Sequence, residues 1–132
     1  MKPFLGFVLV LVAAISVSAQ QATSLGSVMI GRKVLADGKT LEAGTYQLRL
    51  TTENASAVVG QAPEPWVEFV QGGQVKGREV VTIIPDSDIG QVADGPKPSR
   101  NGSRVEMLKG NDYLRVWINR DGTNYLIHLP PA

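Results

Sequence analysis

Asp86-Ser87-Asp88-Ile89-Gly90 sets carboxylates at alternate positions and closes with glycine. Hard oxygen ligands before a sharp turn are what a Ca²⁺ loop requires. Asp94 lies in the same connection and would complete an Asp86, Asp88 and Asp94 ligand set. The fuller pattern D-x-[DN]-x-[DN]-G and its closing Glu are missing. The competing reading is a plain solvated loop, and no cofactor is expected. Glu68 and Glu79 lie on either side of Gly72-Gly73. They would form a carboxylate pair for glycoside hydrolysis only if the hairpin register set them opposite each other.

His128 is the sole His. A Ser-His-Asp triad would have to use it as the base, and no Ser occupies a Gly-x-Ser-x-Gly elbow. His128 therefore reads as a surface or rim residue of the last strand. The chain has no Cys, which removes thiol nucleophiles, Cys-based metal sites and disulfides together. A non-enzymatic role is the expectation.

Tyr113, Arg115, Trp117 and Asn119 alternate along "YLRVWIN" and so share one face of a strand. Aromatic and polar side chains mixed on an open sheet face stack on sugars or on partner side chains. This row is the candidate binding site. The alternative, which Trp burial statistics favour, puts Trp66 and Trp117 in the core.

These residues need strands to hold them. In "LEAGTYQLRL" Tyr46, Leu48 and Leu50 fall on one side, and Thr45, Gln47, Arg49 and Thr51 on the other. Period-two alternation marks a half-buried strand. Val67 and Phe69 share a face in "WVEFV", with Gly72-Gly73 at the hairpin tip. The return strand runs from about Gln74 to Ile84, with a bulge at Gly77. Its "VVTII" run reads as a central strand covered on both faces. Asp37-Gly38 and Asp121-Gly122 are further hairpin turns. Pro85 to Gly102 is a long Pro- and Gly-rich connection. Helical periodicity is lacking after the N-terminus. The expected fold is all-β: an antiparallel β-sandwich or partly open barrel of about seven or eight strands.

The N-terminus has its own chemistry. Lys2 precedes an apolar run from Phe4 to Val17, and Val17-Ser18-Ala19 offers small residues for cleavage after Ala19. That is the layout of a signal peptide, and the run is shorter than the roughly 20 residues that span hydrocarbon. Residues 1–19 are read as the signal peptide, 20–27 as a flexible leader, and 28–132 as one sandwich domain. No membrane span is expected after cleavage. Lys2 is the only charge removed, which leaves basic and acidic residues balanced. A balanced surface is not built for nucleic acid. Export without disulfides suits a bacterial periplasmic or extracellular protein better than an animal extracellular module. Asn54 and Asn101 begin Asn-x-Ser patterns, read here as polar loops.

"DGKTLEAGTYQLRL" resembles a phrase of small, uncharacterised exported bacterial β-domains, G-x-x-L-x-A-G-x-Y-x-[LV]. Gly38, Leu41, Ala43, Gly44, Tyr46 and Leu48 carry the match. The resemblance implies fold class and export, and transfers no catalytic residue. The expected function is a binding or structural module of the bacterial cell envelope meeting a protein or a glycan; the alternative is a Ca²⁺-dependent module or a hydrolase using the Asp86–Asp94 loop. The expected species is a monomer or weak homo-oligomer, because open sheet edges can pair.

Overall fold

The computed structural model describes residues 23–54, 64–108, 110 and 112–132. The signal peptide, the start of the leader and most of the connection before Pro65 lie outside these. Apolar residues at every second position make strands here, and Gly-containing turns reverse them. In chain order these are β1 (Thr23–Ile30), β2 (Val34–Ala36), β3 (Lys39–Leu41), β4 (Gly44–Asn54), β5 (Pro65–Gln71), β6 (Gln74–Val80) and β7 (Thr82–Pro85). A helical turn, α1 (Asp86–Ile89), follows, and then β8 (Ser103–Met107), β9 (Leu114–Arg120) and β10 (Thr123–Leu129).

The turns behave as their residues dictate. Asp37 and Gly38 take φ of 48° and 80°, and Asp121 and Gly122 take 52° and 85°. Two successive positive φ values are the mark of the type I′ hairpin, whose twist matches that of its strands. Gly72 and Gly73 do the same between β5 and β6.

The strands form two four-stranded antiparallel sheets and one short hairpin. One sheet has the order β1-β4-β5-β6, the other β7-β10-β9-β8, and β2 pairs with β3. The fold is an open sandwich. Tyr46, Leu48, Val67 and Phe69 of the first sheet meet Val116, Ile118, Ile127 and Leu129 of the second, all essentially buried. Each such side chain contributes about 1.5–3 kcal/mol through removal from water. Tyr46 meets Phe69 edge to face at 6.1 Å. Its hydroxyl donates to the Glu42 carbonyl at 2.6 Å, which satisfies the polar end of a buried ring. Val34, Ala36 and Leu41 of the hairpin close the seam beside β6.

Three expectations need correction. Thr23 to Ser27 is strand, where a loose leader was expected. Thr23 pairs with Leu50, and a bulge between Ser24 and Gly26 follows. Leu25, Val28 and Ile30 all reach the core. Small polar residues obscure this strand, because an edge strand draws its backbone bonds from β4 whatever its outer side chains are.

The long return strand is two strands in two sheets. The chain leaves the first sheet at Val80, buries Val81 between the layers and joins the second sheet as β7. Both β6 and β7 are edge strands, so "VVTII" is not central. The run is apolar because Val81 fills the crossing and Ile84 is covered from outside. Trp66 is half-buried on β5 rather than in the core, with the Arg78 guanidinium stacked 4.0 Å from its ring centre.

The bulge at Gly77 is present. Phe69 faces Gly77 and Val70 faces Val75, leaving Lys76 as the extra residue. A Cβ on Gly77 would stand 3.1 Å from Leu41 Cδ2 and 3.4 Å from Ala36 Cβ. The missing side chain lets the β2–β3 hairpin lie against β6. Gly77→Val is expected to lower stability by about 1–3 kcal/mol through overpacking, read from the urea midpoint. An unchanged midpoint would contradict this packing.

Candidate functional site

On β9 the alternation is as expected. Leu114, Val116 and Ile118 point to the main core, and Arg115, Trp117 and Asn119 to the other side. That other side is not open. Arg115 is 7% exposed, Trp117 0% and Asn119 3%. Of the row Tyr113, Arg115, Trp117 and Asn119, only Tyr113 is substantially exposed, at 43%. The expected binding face is therefore corrected to a covered one. Alternation says which residues share a side, and is silent on what lies over them. Here Ile89 and Ala93, from the connection after β7, pack on Trp117 with Ile84 and Leu126.

Covering a polar strand face calls for hydrogen bonds to the groups taken from water; the amide and indole groups here find theirs, while Arg115 Nε has no partner. Trp117 Nε1 donates to Asn124 Oδ1 at 2.8 Å, and Asn119 Nδ2 donates to the same oxygen at 3.2 Å. Asn119 Nδ2 also donates to Asp86 Oδ1 at 3.0 Å. Asn124 Nδ2 donates to that carboxylate oxygen at 2.7 Å and to the Ile84 carbonyl at 3.2 Å. Asn119 Oδ1 in turn accepts from Gly122 N at 3.3 Å. Asn119 and Asn124 are direct partners across the Asp121-Gly122 turn. Their equal distance from that turn is the signal that could have paired them in advance. Asp86 as their common acceptor had no such signal.

The Asp86 carboxyl is held below the usual carboxylate range. The Asn124 hydrogen bond is the main cause, helped by Asn119 and by the charges of Lys97 and Arg100 against the opposing effect of burial. Its role is thus that of an ionised acceptor in the frame. The metal reading does not survive the same geometry. Asp86 and Asp88 fall two apart on the helical turn α1, and residues so spaced do not face each other. Asp94 contributes its backbone carbonyl, which accepts from Arg115 Nη2 at 3.0 Å. Among the described residues, no three His, Asp or Glu side chains gather as a metal site.

The other end of the row is ionic. Arg115 Nη2 donates to Glu106 Oε2, and Arg104 Nη2 donates to Glu106 Oε1 at 3.1 Å. The Glu106 carboxyl is held low, chiefly by the Arg115 hydrogen bond and then by Arg104 against burial. The Arg115 guanidinium lies 4.9 Å from the Trp117 ring centre. Tyr113 and His128 form the solvent-facing rim, with rings edge to face at 6.2 Å. Burial, and then the charge of Arg115, lower the His128 pKa. Glu68 and Glu79 do not form an acid pair: Glu68 stands opposite Arg78 and Glu79 opposite Val67. Glu68 instead binds Arg49 at 2.7 Å.

Asn124→Ala removes the acceptor for two buried donors. A loss of about 1–3 kcal/mol per donor left unpaired is expected from urea unfolding, and an unchanged midpoint would contradict the network. Asp86 and Glu106 bind protons less readily folded than unfolded. Their stabilisation is present above the unfolded carboxyl pKa, about 4, and is lost as pH falls through the lower folded values. The melting temperature is expected to drop over that acid range, with a shallower drop in Asp86→Ala. A steeper drop in that variant would contradict the assignment.

Comparison of the chain with protein-family models, with curated proteins and with solved structures finds no match.

Proposed function

We propose that this chain is an exported, non-enzymatic binding or structural β-domain of the bacterial cell envelope. It acts in the periplasm or outside the cell, on a protein or glycan partner, as a monomer or weak homo-oligomer. The observation that carries this reading is how its chemically capable groups are used. Asp86 receives two amide donors, and Arg115 is tied to Glu106 and to the Asp94 carbonyl. Groups engaged in this way hold a sheet and its cover together. They are poorly placed to exchange protons or bind a cation, since either would first have to break those bonds.

Export is supported by Lys2, the apolar Phe4–Val17 run and the small residues ending at Ala19. A cysteine-free sandwich also folds without an oxidising partner. No helix among the described residues is long and apolar enough to cross a membrane.

Expression of the full chain in a bacterium tests compartment and metal together. The envelope fraction is expected to yield a form beginning at Gln20, whose melting temperature is unmoved by Ca²⁺ or by EDTA. A full-length cytoplasmic product would overturn the export reading. Stabilisation by Ca²⁺ that EDTA reverses would overturn the metal-free one.

A further inference from the structure

The bulge in β6 does more than admit the β2–β3 hairpin. Between the hairpin tip and β6 lies an open pocket of about 280 Å³, lined by Ala36, Asp37, Lys39, Val75, Gly77 and Arg78. Bulges bend a strand and re-aim its side chains, and they recur beside functional sites. Here the bent strand is also an edge. Among the described residues β6 pairs only with β5; Val80 N on its outer side is taken by Glu79, and the backbone groups nearer the pocket make no further backbone hydrogen bond, so they are open to a further strand.

The charges around this pocket are uneven in how they are used. Glu79 is turned onto the backbone: Oε1 accepts from Asp37 N at 2.7 Å and Oε2 from Val80 N at 3.2 Å. Lys39 takes part in no ion pair among the described residues. Among the described residues Arg78 has one carboxylate partner, Glu53 at 3.6 Å, which is itself 73% exposed. Exposed pairs of this kind are weak, and a ligand carboxylate can compete for the guanidinium. The Asp37 carboxylate is the one acid in the lining. Val75, 45% exposed, supplies an apolar wall.

We propose that this pocket and the adjoining β6 edge dock an extended, acidic segment of a partner protein. The segment adds a strand to β6 and places a carboxylate between Lys39 and Arg78. Main-chain pairing supplies affinity in such complexes, and pockets for alternate side chains supply selectivity. An acidic glycan would use the two cations and leave the strand edge idle, which is why a peptide is the occupant argued for. The inference rests on the binding-module reading and names the partner chemistry for it.

Trp66 is a built-in reporter, because Arg78 stacks on its ring. The exported protein, labelled with ¹⁵N, is titrated with acetyl-Val-Glu-Val-Glu-Val-amide, with the lysine counterpart of that peptide, and with polygalacturonate. The glutamate peptide is expected to shift the Trp66 indole and the amides of Lys39 and Val75 to Arg78 saturably. Lys39→Glu is expected to weaken it by about tenfold or more. Shifts that are absent or lie elsewhere, an unaffected Lys39→Glu variant, or equal binding of the lysine peptide would overturn the proposal. Tighter binding of polygalacturonate at the same amides would overturn it in favour of a glycan. A partner captured from envelope extract equally well by wild type and Lys39→Glu would leave the binding-module reading standing and remove this site. A chain retained in the cytoplasm would remove the envelope reading and leave the pocket result unaffected.

Discussion

The cover over the outer face of the second sheet is fastened at one carboxylate oxygen. Asp86 Oδ1 accepts from the side-chain amides of Asn119 and Asn124. Without that acceptor, the amides of Asn119 on β9 and Asn124 on β10 each lose a partner on a sheet face that also carries Trp117 and Arg115. With it, the segment after β7 can lie across the second sheet, with Ile89 and Ala93 over Trp117. The outer side of that sheet thereby becomes a second, smaller core. Burial strengthens the hydrogen bonds among Trp117, Asn119, Asn124 and the Ile84 carbonyl and raises the cost of leaving any one of them unmade.

The main seam follows a simpler rule. With no disulfide to limit the unfolded chain, cohesion comes from apolar side chains pressed between two sheets and from ladder hydrogen bonds. The packing at Gly77 shows how closely the pieces fit, since a single added methyl would press on Leu41. Gly77 also lines the pocket beside the hairpin, with Val75 and Arg78. One irregularity in β6 thus serves both the core seam and the surface.

Much of this architecture was legible in the residues. Asp37-Gly38, Gly72-Gly73 and Asp121-Gly122 announced their hairpins, because few other dipeptides tolerate two positive φ values. Alternation located the inward side of β4 and β5 and sorted β9 into two sides. What stayed hidden depends on contacts far apart in sequence. "VVTII" looks like one central strand, yet it straddles two sheets, and local hydrophobicity cannot report a change of partner. The Tyr113 to Asn119 row looked like an open binding face because nothing in its spacing reveals a cover supplied from residues 86–94. Asp86 and Asp88 looked like ligands until a helical turn sent one to the sheet and the other to solvent. Trp66 looked like a core residue, but its ring sits at the sheet surface beneath Arg78.

The account rests on the covered state of Trp117, and exchange of the two indole protons with deuterium measures it most directly. Trp117 Nε1–H, buried and bonded to Asn124, is predicted to exchange far more slowly than the half-buried Trp66 Nε1–H. Exchange of both at the same fast rate would contradict the buried cluster, and with it the assignment of Asp86 as the residue that holds the cover in place.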